Sequence, residues 1–362
     1  MSFTLNVPVN SVSFGQVSTL LLRELYKKNK DFTLLPIGNA LDLSCQEDDS
    51  NFFSYVRNKS SDFLARVKRE NPCFKLWHLN GSLESCSNKR YLLSFYELDA
   101  PTKEEVNIVK NYDKVLFTSK YTVDIFRNAG CTNIEYLPLA FDKYNFSKLD
   151  KTYFNDGRII FNLVGKLEKR KHHKKVIQAW LKKYGNQKGY HLQCAIYNGF
   201  LKEEDNKALF NSILEGKNYF NISFLGQMPK NVMYNDFLNS GNIIIGMSGG
   251  EGWGLPEFQS VALGKHAVIL NAHAYKDWAN ESNSVLIEPN GKIEAYDNMF
   301  FHKGQPFNQG NIYDFDTDDF IQGCEKAIER YRLNKVNNKG LELQSSFNSE
   351  LFADRVLQII EK

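Results

Sequence analysis

The stretch Gly249 to Ala262, Gly-Gly-Glu-Gly-Trp-Gly-Leu-Pro-Glu-Phe-Gln-Ser-Val-Ala, follows closely on the apolar run Asn242 to Met247, and few folds accommodate that order. It reads as a strand, a glycine-rich turn and a helix start. Pro256 suits a first helical turn, where its missing N–H costs nothing, and Gly250, Gly252 and Gly254 allow the backbone to pass close to a ligand. Unpaired N–H groups at such a helix start attract phosphate. Glycines at every second position do not give the dinucleotide spacing G-x-G-x-x-G, and no lysine followed by Ser or Thr closes the run as in a P-loop. Glu251 sits inside the cradle, a poor arrangement beside a diphosphate unless the carboxylate faces neutral hydroxyls. The combination suits a sugar joined to a diphosphate. A tight strand-to-helix turn with a solvated Glu251 also satisfies these residues.

The rest of the chain forms one consistent setting. Short apolar runs recur between helical patterns at Phe3 to Val7, Phe32 to Leu35, Phe74 to Leu76, Leu92 to Phe95, Lys114 to Thr118 and Ile134 to Leu137. After the polar stretch Lys143 to Gly157 a second series runs through Ile159 to Val164, Leu192 to Ile196, Ile222 to Leu225, Asn242 to Met247, Ala267 to Leu270 and Val285 to Ile287. Strands alternating with helices imply parallel pairing through right-handed crossovers. With 362 residues, two doubly wound α/β domains in succession are expected. We place the first at 1–150 and the second at 151–344, with a helix at 345–362 that can return to the first. Ligands of such sheets sit beyond the carboxyl ends of the strands, so the turns Asn10 to Gly15, Gly165 to Lys171 and Gly249 to Pro256 are the ones to watch.

Charge weighs against some partners without removing them. The 19 basic and 18 acidic residues of 1–150, and the 26 and 24 of the remainder, leave no polybasic surface for nucleic acid or an anionic membrane. The one local excess, Arg57 to Arg90, fits a solvated helix face. Six scattered cysteines without a C-x-x-C pair argue against a zinc site or a disulfide scaffold and fit a cytoplasmic setting. Met1 to Asn10 lacks the pattern of a signal, and no run reaches transmembrane length.

Taken together, the chain resembles the GT-B glycosyltransferases, most closely the large retaining family 4 group. Gly165-Lys166-Leu167 with Arg170-Lys171-His172 is similar to the family's G-R-L-x-x-x-K-G, and Ser248 to Ala262 is similar to S-x-x-E-G-F-G-L-P-x-x-E-A-x-A. The first half follows in the expected order through Phe14-Gly15-Gln16, Trp77-His78, Phe95-Tyr96-Glu97 and Phe117-Thr118-Ser119-Lys120. Three positions depart. Lys166 replaces an arginine, so a fork becomes a point charge that neutralises phosphate but orients it less. His172 replaces a glycine. Gln259 replaces the second carboxylate of an E-x7-E pair that in the family holds the nucleotide ribose.

The resemblance implies two Rossmann-like domains facing each other across a cleft, a nucleotide-diphosphate sugar (UDP- or GDP-linked) as donor, no metal or other cofactor, and transfer of a hexose with retention. Lys166 and Lys171 would supply cations for the leaving group, and the N–H groups of Gly252, Trp253 and Gly254 the helix-end dipole. Gly165, Leu255 and Gln259 complete the donor site. Glu251 would accept bonds from donor-sugar hydroxyls, His78 would touch the sugar's primary hydroxyl, and Gly15 would let its loop approach the donor. Plainer roles fit several of them: a solvated basic face for Lys171 among Lys169, Arg170, Lys174 and Lys175, a turn for Gly15, a core or surface site for His78, and packing for Trp253. Glu97 is a candidate for orienting an acceptor hydroxyl and fits equally a solvated or helix-capping role, while Ser119 suits an N-cap. The acceptor, whether glycan, protein, lipid or nucleic acid, is not encoded in these motifs. A nucleotide-sugar epimerase and a catalytically degenerate GT-B domain that only binds nucleotide sugar or glycan are the competing readings.

Overall fold

In the computed structural model, which describes residues 2–361, the apolar runs become two parallel six-stranded sheets. The first holds β1 (Thr4–Val9), β2 (Thr33–Leu41), β3 (Cys73–Leu76), β4 (Arg90–Ser94), β5 (Lys114–Phe117) and β6 (Ile134–Tyr136) in the order β2-β1-β3-β4-β5-β6. The second holds β7 (Ile159–Val164), β8 (Tyr190–Ala195), β9 (Ile222–Phe224), β10 (Ile243–Gly246), β11 (His266–Leu270) and β12 (Val285–Ile287) in the order β12-β11-β10-β7-β8-β9. Every residue of β1, β7, β10 and β11 is buried, as expected of parallel strands covered on both faces.

Each order reverses once, between β1 and β3 in the first sheet and between β7 and β10 in the second. A ligand crevice opens where the crossover helices diverge at such a reversal. The loops that follow β3, β7 and β10 carry His78, Lys166 and Glu251, and the first turn of the helix after β1 carries Gly15, so topology alone delivers these residues to the two crevice mouths.

Two further pieces tie the lobes together. The C-terminal helix Ser349–Ile360 packs on the first-lobe helix Ser13–Lys27, with Lys28 paired to Asp354 at 2.8 Å. Beneath this contact lies Glu24, wholly buried, which accepts from Ser349 Oγ, from Tyr144 OH at 3.0 Å and from Lys143 Nζ at 3.0 Å. Burial alone would raise its pKa, but those donors outweigh it and hold the carboxyl below its ordinary value.

The second piece has no counterpart in the sequence reading. After β12 the chain leaves the sheet as an antiparallel hairpin, β13 (Gly291–Glu294) and β14 (Asn311–Asp314), with a long loop between. This strap crosses to the first lobe. Lys292 pairs with Asp99 at 2.8 Å, Asn311 N–H donates to Asp99 at 2.7 Å, Thr102 Oγ1 donates to Pro306 O at 2.6 Å, and Asn308 N–H donates to Glu105 at 2.8 Å. Ala295, Phe301 and Ile312 join a core cluster with Leu92, Tyr96 and Ile108. The basic excess between Arg57 and Arg90 is not one face: Lys75 is buried and donates to the carbonyls of Ser82 and Glu84, and Lys59 and Arg66 share Asp31. Among the described residues no helix is long and apolar enough to cross a membrane.

Phe301→Ala should therefore unseat the strap from the first lobe, costing about 3–5 kcal/mol as a deleted core ring. A melting temperature equal to that of the wild type would show that the strap contributes nothing to holding the lobes.

Candidate active site

The glycine turn does its close packing against the other lobe rather than against open space. A Cβ on Gly250 would lie 2.5 Å from Glu97 O, and one on Gly252 would lie 2.7 Å from Phe95 Cβ. Thr118 Oγ1 donates across the same seam to Gly252 O at 2.6 Å. Gly254 takes φ +81° at the N-cap of helix Leu255–Ala262, with no side-chain cap on that helix. Trp253 is buried between Phe258 and Phe347, and its carbonyl accepts from Trp278 Nε1 at 2.9 Å, so packing is its role. Glycine is needed at 250 and 252 because two lobes meet there. The sequence reading had assigned that closeness to a ligand.

Arg170 forms the centre of this seam. The strand β7 ends at Gly165, and a short 3-10 turn at Lys169–Lys171 carries Arg170 and Lys171 inward, where both are buried. Arg170 Nη1 donates to Gly250 O at 2.6 Å and to Glu251 Oε1 at 2.8 Å, while Nη2 reaches Glu97 at 2.8 Å and Glu168 at 2.9 Å. Lys171 Nζ binds the same Glu251 Oε1. The solvated basic face offered for this run is thus replaced by a buried ion network. The solvated or capping alternative for Glu97 is likewise replaced by an inter-lobe salt bridge. Arg170, Glu168 and Glu257 are site residues that the sequence reading did not assign.

The electrostatics follow from burial and pairing. Burial pushes the Glu251 carboxyl up, but Arg170 and Lys171 outweigh it and hold it at about 2. Glu257 in the first helical turn is lifted to about 7 by burial, with the charge of Glu251 adding to the rise and Lys171 opposing it. Burial also raises Glu97 against the pull of Arg170. Lys171 stays above its ordinary value because Glu251 and Glu257 together overcome burial. The result is a set of fixed charges that water hardly reaches, the condition under which they act strongly on a bound ion.

Above the network lies a cavity of 360 Å³ between the lobes. Ser13, Gln16 and Asp142 line it from the first lobe and its linker, and Gly165, Lys166, Leu255 and Gln259 from the second. Gln16 and Asn231 exchange two amide hydrogen bonds across it, at 3.0 and 3.1 Å. Gln259 is buried, and its Oε1 accepts from Asp142 N–H at 3.4 Å. Lys166 is half-buried and paired with Glu168 at 3.5 Å; burial lowers its pKa, and Glu168 offsets part of that. Lys171 lies directly under Gly165, where an added Cβ would meet its Cε at 3.2 Å.

His78 packs on Phe14 with ring centroids 4.5 Å apart; it is exposed yet surrounded by enough protein to lower its pKa, with Lys166 adding to the effect. Gly15 is buried, and the space beside its Cα is filled by Asn10, whose carbonyl would be 2.2 Å from an added Cβ. Gly15 thus stands in the first turn of helix Ser13–Lys27 rather than in the turn before it, and the close approach of Asn10 is sufficient reason for glycine. Ser119 caps its helix by accepting from Thr122 N–H. Leu255 forms part of the cavity wall, whereas Gly252 lies in the inter-lobe seam against Phe95, Gly254 packs on Tyr275, and Trp253 on Phe258 and Phe347. A larger groove of 720 Å³ runs beside helix His173–Tyr184, but the loops after β1, β7 and β10 converge on the smaller cavity.

No family model matches the sequence, and no curated protein matches it. Solved structures do match, over nearly the whole chain. Sucrose-phosphate synthase from Thermosynechococcus elongatus aligns at 12% identity and TM-score 0.71, covering 100% of this chain and 98% of that one. Anabaena HepE in complex with UDP-glucose aligns at 11% and 0.67, covering 100% and 99%. The catalytic domain of starch synthase IV from Arabidopsis thaliana, bound to ADP and acarbose, aligns at 8% and 0.68, covering 99% and 98%. The chain has the GT-B fold.

Two outcomes test the network. Arg170→Met strands three carboxylates and should cost about 3–5 kcal/mol of stability. Glu257 carries the opposite sign: its folded value of about 7 lies above the ordinary glutamate value of 4.5, so wild-type stability falls as pH rises between the two. Glu257→Gln removes that fall, and its melting temperature should gain on wild type from pH 4.5 to pH 7. A difference that is flat with pH would place Glu257 outside the network.

Proposed function

We propose that this chain is a metal-independent retaining glycosyltransferase of the family 4 kind, which moves a hexose from a UDP- or GDP-sugar to an acceptor hydroxyl. One observation carries the reading: the loops after β1, β7 and β10 meet at a single cavity that offers Lys166, an uncapped helix start and a buried amide at Gln259. A diphosphate matches the first two and a ribose the third. Several proteins of this fold are recorded with such ligands: HepE with UDP-glucose and with UDP, and the starch synthase with ADP.

In this reading the bond from the anomeric carbon to the diphosphate oxygen breaks as a bond to the acceptor oxygen forms on the same face. A non-bridging oxygen of the departing phosphate takes the acceptor's proton. Glu251 is buried and bound to two cations on one oxygen, which suits it to fix Lys171 and accept a sugar hydroxyl rather than to attack carbon. Lys166, Lys171 and the first-turn N–H groups of helix Leu255–Ala262 stabilise the charge that grows on the leaving group, the largest catalytic term in sites of this sort. In this reading exposed His78 serves the sugar, and Glu97, held by Arg170, serves the acceptor.

The direct experiment is a panel of UDP-, GDP- and ADP-sugars scored for binding and slow hydrolysis, where one family of donors should bind and turn over. Within it, Glu251→Gln and Lys171→Met should each slow transfer by about 100-fold or more, and Lys171→Met should also weaken the free nucleoside diphosphate. Wild-type rates in both variants would remove these residues from the site. Activity should survive EDTA; a loss that magnesium restores would refute the metal-free mechanism.

A further inference from the structure

The strap that joins the lobes also reaches Lys166, which lines the inter-lobe cavity. Phe300, in the loop between β13 and β14, lies with its ring centroid 3.6 Å from Lys166 Nζ, and Phe200, in the loop after β8, lies 5.0 Å from the same atom. The two rings meet edge-on at 5.5 Å, so the ammonium sits in an aromatic corner. Phe200 is 73% exposed, so its ring face is open to the ammonium and to solvent. The loop bearing Phe300 is fastened on both sides: Asn198 Nδ2 contacts Met299 Sδ at 3.5 Å, Lys169 Nζ donates to Tyr296 O at 2.9 Å, and Asp297 accepts from the N–H groups of 299 to 301.

Lys166 needs such help. Its carboxylate partner, Glu168, is 3.5 Å away, and its four-carbon stem leaves a point charge free to sample many rotamers, where an arginine fork would be pre-organised. A cation over a ring face is attracted by the ring quadrupole, and more strongly when partly desolvated as here.

We propose that Phe300 is a positioning residue: the strap carries its ring across to hold the Lys166 ammonium over the inter-lobe cavity, where it meets the donor's diphosphate. This rests on the reading of that cavity as a nucleotide-sugar site. The ring takes no part in bond making. It fixes where the charge stands before the ligand arrives, and so restores the orientation that a lysine at this position lacks.

The test is titration of UDP, GDP and ADP, and of the matching nucleosides, into wild type, Phe300→Ala, Phe300→Leu, Phe300→Trp, Lys166→Ala and the double variant Lys166→Ala/Phe300→Leu. Leucine keeps apolar volume and the strap's packing while removing the ring. Phe300→Leu should weaken the diphosphate by about 2- to 30-fold, leave nucleoside binding unchanged, and cost nothing further when Lys166 is already alanine. Phe300→Trp should restore diphosphate affinity. Wild-type affinity in Phe300→Leu, equal losses for nucleoside and diphosphate, or full additivity with Lys166→Ala would each overturn the assignment while leaving the cavity's function standing. If none of the three diphosphates binds wild type, or Lys166→Ala binds them as wild type does, the nucleotide-sugar reading fails and this assignment fails with it.

Discussion

One guanidinium holds the arrangement together. Arg170 gathers Glu97 from the first lobe and Glu168 and Glu251 from the second, all within 2.9 Å, and takes the carbonyl of Gly250 as well. A buried arginine with a single carboxylate would barely repay its desolvation, whereas a planar donor set engaging several oxygens can. The network has a direction too. By fixing Glu251 it fixes Lys171, and by reaching Glu97 it locks the glycine turn against the opposite lobe.

Burial, with the neighbouring charge of Glu251 adding to it, explains why one carboxyl of the group is lifted. Arg170, Lys171 and Lys166 bring three cations to a region containing Glu97, Glu168, Glu251 and Glu257. Glu257, the deepest acid beside Lys171, is the one lifted to about 7. A ligand bearing a diphosphate would add negative charge to a site already balanced, which favours recruiting Lys166 and the helix start, the two elements that open on the cavity. Fixed dipoles and cations set before the ligand arrives need no reorganisation during bond breaking, the property that makes such sites effective.

Much of this was legible in the chain. The apolar runs found their strands because parallel strands covered on both faces must be apolar throughout, and the turns after β7 and β10 were marked by glycine and charge. The strap Gly291–Asp314 was not legible, because its apolar residues, Ala295, Phe301 and Ile312, answer to the other lobe's core and to no period of their own. Arg170 was hidden for a similar reason. In a run of Lys-Arg-Lys it looks solvated, and only the meeting of two lobes buries it. The glycines at 250 and 252 were correctly singled out, but what approaches them is Phe95 and Glu97. Tertiary partners, unlike local turns, leave no spacing to read.

Phe300 and the C-terminal helix belong to the same theme, in which distant segments return to fix what the switch-point loops began. All of it converges on the claim that the inter-lobe cavity receives a diphosphate. The most direct measurement is a crystal structure of the protein soaked with the UDP- or GDP-sugar that binds it best. Phosphate density within hydrogen-bonding reach of Lys166 and the N-terminus of helix Leu255–Ala262 is expected, with ribose at Gln259. A diphosphate lodged in the groove beside helix His173–Tyr184, or an empty inter-lobe cavity at saturating ligand, would contradict it.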